Sequence, residues 1–132
     1  MNTGFSNQDL TGALPAGLGD LGPALKRLGL DGNQISELPT ELGTLTGLTL
    51  LFLNDNAITA LPTDIGALTG LTVLRLQDNQ LTGVPAEFRT WGPSAFCSLY
   101  DNPGFSCANV GAGTSCCTAD NCPAGTSTCY QG

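Results

Sequence analysis

The sequence predicts an α/β solenoid: a short curved coil of about four to five repeated units with a parallel sheet on its concave side and short helical or 3-10 turns on its convex side. Three observations predict it. Asn33, Asn56, Asn79 and Asn102 recur every 23 residues, and Pro39, Pro62 and Pro85 keep the same interval. Seven apolar positions also match across three successive units. The first unit carries Leu25, Leu28, Leu30, Ile35, Leu38, Leu42 and Leu45, and the second Leu48, Leu51, Leu53, Ile58, Leu61, Ile65 and Leu68. The third carries Leu71, Leu74, Leu76, Leu81, Val84, Phe88 and Trp91.

Spacing within a unit assigns each part. Leu51-Phe52-Leu53 alternates with a period of two, so Leu51 and Leu53 face the core of a short strand. Strands are expected near residues 26–30, 49–53, 72–76 and 95–99, all parallel. Leu61, Ile65 and Leu68 are spaced four then three, as on one face of a helical turn. Pro62 suits the first turn of that segment, where its missing N–H is not needed, and Gly66 and Gly70 are expected to end it. No single unit can bury seven apolar side chains, so neighbouring units must stack. A tight turn after each strand leaves backbone groups pointing inward. The amides of Asn33, Asn56, Asn79 and Asn102 can both donate to and accept from those groups, which makes the column a structural ladder.

Composition narrows the function. Eleven acidic residues against four basic ones give a formal charge of −7, which disfavours contact with a phosphate backbone and hence nucleic acid. No apolar run reaches the length of a membrane-spanning helix, so no membrane insertion is expected. The chain has no His, no serine elbow, no phosphate-cradling glycine loop and no metal-binding motif. Its carboxylates Glu37, Glu41, Asp64 and Glu87 fall on the outer part of the coil. The expectation is a protein that is not an enzyme and needs no cofactor or metal.

All six cysteines follow residue 96. One period beyond Leu74, Leu76 and Asn79 lie Cys97, Leu99 and Asn102, so Cys97 takes a core leucine position in a last strand. The periodicity then stops, and Gly, Ser, Thr and Ala dominate around Cys107, Cys116, Cys117, Cys122 and Cys129. A segment so poor in large apolar residues is expected to be held by disulfides, which implies an oxidising, extracellular or cell-surface setting. Zinc is the weaker reading, because the spacing lacks paired C-x2-C motifs. A catalytic thiol would lack a His base. The domain reading is residues 1–93 as repeats and residues 94–132 as a last partial repeat plus a cysteine-rich cap. The repeats are LPxxLGxL-type units of about 24–25 residues at a dominant period of 23.

The N-terminal end is expected to lack a cap. Phe5 aligns with the last core leucine of a strand, so the coil opens part-way through a repeat, its edge left to missing sequence or another chain. Met1-Asn2-Thr3-Gly4 has neither the basic start nor the apolar stretch of a signal peptide. The expectation is a secreted chain in a mature or partial form.

These repeats resemble the leucine-rich-repeat family, whose unit reads L-x-x-L-x-L-x-x-N-x-L, over residues 5–107. The closing phrase Leu61-Pro62-Thr63-Asp64-Ile65-Gly66-Ala67-Leu68 resembles the plant and protist branch. Leu10-Thr11-Gly12-Ala13-Leu14-Pro15, one residue longer than its counterparts, resembles the extracellular plant type. Asn102-Pro103-Gly104-Phe105-Ser106-Cys107 is similar to the opening of C-terminal caps in extracellular members. The resemblance implies a protein, peptide or glycan ligand and a role in recognition or adhesion. Six cysteines allow 15 pairings. Adjacent Cys116 and Cys117 are expected to take different partners, and Cys97 with Cys107 is the pairing we favour.

Binding is expected on the outward strand positions. One column holds Arg27, Leu50, Val73 and Phe96, a second Gly29, Phe52, Arg75 and Ser98, and a third Asp31, Asn54, Gln77 and Tyr100. Asp55, Asp78 and Asp101 border them. Leu50, Phe52, Val73, Phe96 and Tyr100 would form an exposed apolar patch with a polar rim. The alternative is binding to ice or a crystal surface through hydroxyl columns: Ser36, Thr59 and Thr82, with Thr46 and Thr69, and Thr49 and Thr72.

The cysteine reading predicts three disulfides. Mass measurement after alkylation without reductant should find no modified cysteine; two or more modified residues, or zinc in the purified protein, would refute it.

Overall fold

The computed structural model describes residues 1–87 and 96–105. Five three-residue strands form one parallel sheet: β1 (Asn2–Gly4), β3 (Arg27–Gly29), β5 (Leu50–Phe52), β6 (Val73–Arg75) and β7 (Phe96–Ser98), in that spatial order. Between them lie β2 (Thr11–Ala13) and β4 (Gln34–Glu37), and the 3-10 segments η1 (Ala16–Leu21), η2 (Thr40–Thr44) and η3 (Thr63–Ala67). β3, β5, β6 and β7 sit inside the four ranges expected from period-two alternation, whereas β1 lies before the first of them. Their register repeats the sequence period, with Leu28 opposite Leu51, Leu51 opposite Leu74, and Leu74 opposite Cys97.

The inward residues make one continuous core. Leu28, Leu51 and Leu74 of the strands are fully buried, with Leu30, Leu53 and Leu76 just beyond them. Ile35, Ile58 and Leu81 follow, and Leu42, Leu45, Ile65 and Leu68 close the coil from the 3-10 side. Cys97 is buried in the leucine position expected of it, beside Leu99 and Phe105. Leu38 and Val84 are only half-buried. Phe88 and Trp91 lie outside the described residues, as do all cysteines except Cys97.

The asparagine ladder joins the coils. Asn79 donates through Nδ2 to the carbonyls of Leu53 (2.9 Å) and Leu76 (3.1 Å), while its Oδ1 accepts the Ile58 N–H (3.0 Å). Asn56 does the same for Leu30, Leu53 and Ile35. Asn102 does so for Leu76, Leu99 and Leu81. Asn33 binds Phe5 and Leu30, and its Oδ1 accepts the N–H groups of Gln8 and Leu10. The inward-turned backbone groups that these amides reach thus have partners, where an orphan would cost about 1–3 kcal/mol.

Proline and glycine play parts other than those expected. Pro15, Pro39 and Pro62 are the extended cap residues immediately before η1, η2 and η3, with ψ of 151°, 151° and 147°, and do not lie in the first turn. Gly66 lies inside η3 and does not end it. It is small because neighbouring coils approach closely: a Cβ there would come within 2.6 Å of the Glu87 Cβ. At Gly43 the clash would be with the Asp64 carbonyl oxygen at 2.5 Å.

The first coil departs from the rest. β1 pairs with β3 at an offset of 25 residues, Thr3 opposite Leu28, whereas later strands are 23 apart. The extra length gives rise to a second, two-stranded parallel sheet of β2 and β4. Its register shifts between Gly12 and Ala13, and Gly12 has φ of +72°. The repeat pattern does not forecast this sheet. Phe5 takes the expected position, its N–H donating to the Gly29 carbonyl at 2.7 Å, yet the residue is 38% exposed. With Leu10, Leu14, Leu18, Leu21 and Leu30 it lines an apolar depression of about 310 Å³ at this edge.

Asn79→Leu keeps the branching but orphans the Ile58 N–H and leaves the Leu53 and Leu76 carbonyls with only the Asn56 and Asn102 amides. It should lower stability by about 1–3 kcal/mol, the cost of an unpaired buried group. Gly43→Ala should also destabilise, by about 1–3 kcal/mol, through the forced separation of η2 and η3. Thermal melts of both variants check this; native melting of Asn79→Leu would show that the ladder is dispensable.

Candidate binding face of the sheet

Outward strand residues are placed by the same alternation that buries the leucines. In register, Arg27, Leu50, Val73 and Phe96 stand side by side, as do Gly29, Phe52, Arg75 and Ser98. Adjacent strands are about 4.8 Å apart, so these side chains touch their neighbours across the sheet. That contact explains why Leu50, Phe52, Val73 and Tyr100 are half-buried, each only partly open on the face expected of it. Ser98, in an outward column, is buried. The Phe96 backbone pairs with Val73, and its side chain lies outside the described residues.

Phe52 is the centre of the face. The guanidinium carbons of Arg27 and Arg75 each lie 5.0 Å from its ring centroid, within the range of attraction between a cation and the ring's electron-rich face. Arg75 reaches it from the directly paired position on β6. Arg27 reaches it diagonally from β3, where the residue facing Phe52 is Gly29 and offers no side chain. Both arginines are exposed. Sequence columns brought these three residues to one face; the pairing of two cations with one ring was not legible in them.

Along β1 and β3, paired Gly4 and Gly29 leave a notch of about 190 Å³, lined also by Asn2, Ser6 and Arg27. Ser6 Oγ donates to Asp31 Oδ1 at 2.6 Å beside it. Sequence columns missed this notch because its first strand lies before the regular repeats. In the third outward column, Gln77 Oε1 is buried without a hydrogen-bond partner, an acceptor left open on this side of the coil.

The acidic border has a backbone role. Asp55, Asp78 and Asp101 have φ of 57°, 57° and 53°, a left-handed conformation that Gly32 occupies in the preceding coil. Asp, Asn and Gly tolerate it best. Their side chains are exposed. The Asp78 carboxyl is held above its ordinary pKa, through reduced hydration first and the neighbouring Asp55 and Asp101 charges second.

The hydroxyl columns divide. Thr49 and Thr72 donate to the carbonyls of Lys26 and Thr49 in the preceding coil, each at 3.0 Å, so these hydroxyls join repeats. Thr59 and Thr82 are exposed and line an open depression with Gly83 and Pro85, while Ser36 is half-buried. No group of residues suited to holding a metal ion occurs among the described residues.

Residues 23–85 match the leucine rich repeat family model. Among solved structures, the chain is similar to the BIR2 ectodomain from Arabidopsis thaliana, with 26% identity over 81% of this chain and 64% of that one, at a TM-score of 0.65. It is also similar to a leucine-rich-repeat protein of Leptospira interrogans, with 30% identity over 74% of this chain and 28% of that one, at a TM-score of 0.61. The chain thus spans less than two thirds of either structure's length. No curated protein sequence matches it. The fold is a leucine-rich-repeat solenoid, with short parallel strands alternating with 3-10 turns.

Crowding of the acidic border generates a pH prediction. A carboxyl whose pKa is raised in the folded state favours the protonated form there, so its penalty is absent below the unfolded pKa and complete above the folded one. Asp78→Asn, which keeps a residue suited to left-handed backbone, should melt above the parent at pH 7. The gap should close as pH falls below about 4, the unperturbed aspartate range. A variant that melts lower at pH 7 would contradict the repulsion.

Proposed function

We propose that this leucine-rich-repeat coil is a non-catalytic recognition module that binds a protein, peptide or glycan through the outward face of its five-stranded sheet. One observation carries the reading: Phe52 stands mid-sheet with Arg27 and Arg75 against its ring, where the core does not need it. The inward leucines already fill the core, so the outward positions are free of that duty. Aromatic and arginine side chains at the middle of a contact surface commonly dominate binding energy. Leu50, Val73 and Tyr100 extend the face, Asp55, Asp78 and Asp101 border it, and Phe96 belongs to it by register. Leucine-rich repeats typically serve protein interaction, and the similar Arabidopsis thaliana structure is an ectodomain. We assign the chain to the extracellular space or cell surface, with residues 94–132 as a disulfide-held cap.

Binding to ice or a crystal surface has less support, because the Thr49 and Thr72 hydroxyls are engaged between coils. Phe52→Ala and Tyr100→Ala should weaken capture of a partner from an extracellular extract by tenfold or more, about 2 kcal/mol for a truncated central aromatic, while leaving the melting temperature nearly unchanged. Thr59→Ala should affect neither. Loss of binding on changing Thr59 and Thr82, with Phe52 and Tyr100 silent, would favour the hydroxyl columns instead, and measurable thermal hysteresis would support them directly.

A further inference from the structure

We infer that the Arg27–Phe52–Arg75 cluster is a clamp for carboxylates, and that the partner of the sheet face presents a pair of acidic side chains to it; this rests on the sheet-face reading above. The charge pattern argues for it. The chain has 4 basic residues against 11 acidic, yet it sets two of the four around one ring. Among the described residues neither guanidinium has an ion-pair partner, although Asp31, Asp55 and Asp78 lie on neighbouring turns. Attraction to the Phe52 ring is not a hydrogen bond to an acceptor, so the guanidinium N–H groups remain able to receive a carboxylate in a two-bonded fork. Holding the two long side chains against a half-buried ring also reduces the freedom that binding would otherwise remove.

Geometry narrows the ligand. Arg27 and Arg75 lie two strands and a two-residue step apart, yet both guanidinium carbons lie 5.0 Å from the Phe52 centroid, so the two cations are at most about 10 Å apart. Acidic side chains at positions i and i+2 of an extended peptide leave the same face about 7 Å apart, and splay to that distance. The notch beside Arg27 gives the first carboxylate a place at its Gly4 side, where the strand surface is bare, while the Asp31 carboxylate held by Ser6 beside Gly29 keeps an anion from the other side. Asp31, Asp55, Asp78 and Asp101 repel an anion from the far end of the strands. They confine the acidic pair to the strand rows that carry Arg27 and Arg75 and leave the far border for a neutral or basic part of the same partner.

The test uses the full chain and three acetylated, amidated peptides: Gly-Glu-Gly-Glu-Gly, its double Gln analogue and its double Lys analogue. NMR titration follows the arginine Nε–Hε signals and the Phe52 ring. The Glu peptide should produce saturable shifts at both arginines in the millimolar range, weakening as salt rises from about 0.05 to 0.5 M. Arg27→Gln and Arg75→Gln should each weaken it roughly threefold or more, and the double variant should abolish it. Gly4→Val, whose Cβ meets nothing within 4 Å, fills the notch without disturbing the coil and should also weaken binding at unchanged melting temperature. Equal binding of the Gln peptide, indifference to both arginine changes, or no saturable shift would overturn the inference. Binding of the Gln or Lys peptide through Phe52 with the Glu peptide silent would end the carboxylate clamp and leave the sheet-face reading standing.

Discussion

Coil-to-coil spacing governs this molecule, and the asparagine side chain sets it. One amide must reach the carbonyl of its own strand, the carbonyl of the strand before, and an N–H in the preceding turn. Asn79 does so with contacts of 2.9–3.1 Å. Only one separation between coils satisfies all three. Once it is fixed, the leucines of adjacent strands meet in register, and glycine is required wherever 3-10 segments would collide, as at Gly43 and Gly66. The hydrophobic core and the turn geometry both follow from a polar ladder.

The same spacing organises the surface. With strands locked side by side, every outward side chain has a neighbour one strand away. Residues far apart in sequence therefore act as one patch: Arg27, Phe52 and Arg75 span 49 positions yet share one ring. Substitution of an outward residue alters the patch with little effect on the core beneath it, which is how a rigid scaffold can carry a changeable contact surface.

The parallel sheet, its register and its inward residues were legible because burial imposes strict periodicity: Leu28, Leu51, Leu74 and Cys97 occupy one column in sequence and in space. Less was legible where several causes share one residue type. Asp55, Asp78 and Asp101 read as a charged rim, yet they also occupy left-handed backbone, and sequence does not separate the two demands. Gly66 read as a helix terminator because its close neighbour, Glu87, lies 21 positions away in another coil. The small sheet of β2 and β4 escaped because it depends on the longer first coil, which the regular period does not describe. Side-chain reach hid the arginine pair as well: a column pattern places Arg27 above Leu50, while the guanidinium extends diagonally to Phe52.

The ladder is also directional. Each asparagine bonds to its own coil and to the one before, never to the one after; Asn56 reaches back to Leu30 and Ile35, and Asn102 back to Leu76 and Leu81. Backbone N–H groups of the same turns point the other way, as Asn56 N–H does to the Asp78 carbonyl at 3.1 Å. From Asn56 to Asn102 the junctions are consequently identical in kind, and each is complete between two adjacent coils. Removing residues 48–70 as a block would bring Asn79 onto the groups that Asn56 now serves, with no bond left open. Loss of a whole turn thus leaves every remaining rung intact. A length change inside one coil is absorbed there, as in the first coil, whose strand pairs at an offset of 25 residues and still supplies Phe5, Gln8 and Leu10 to Asn33. Length in such a chain is free to change between rungs and is fixed only where an asparagine must reach its partners.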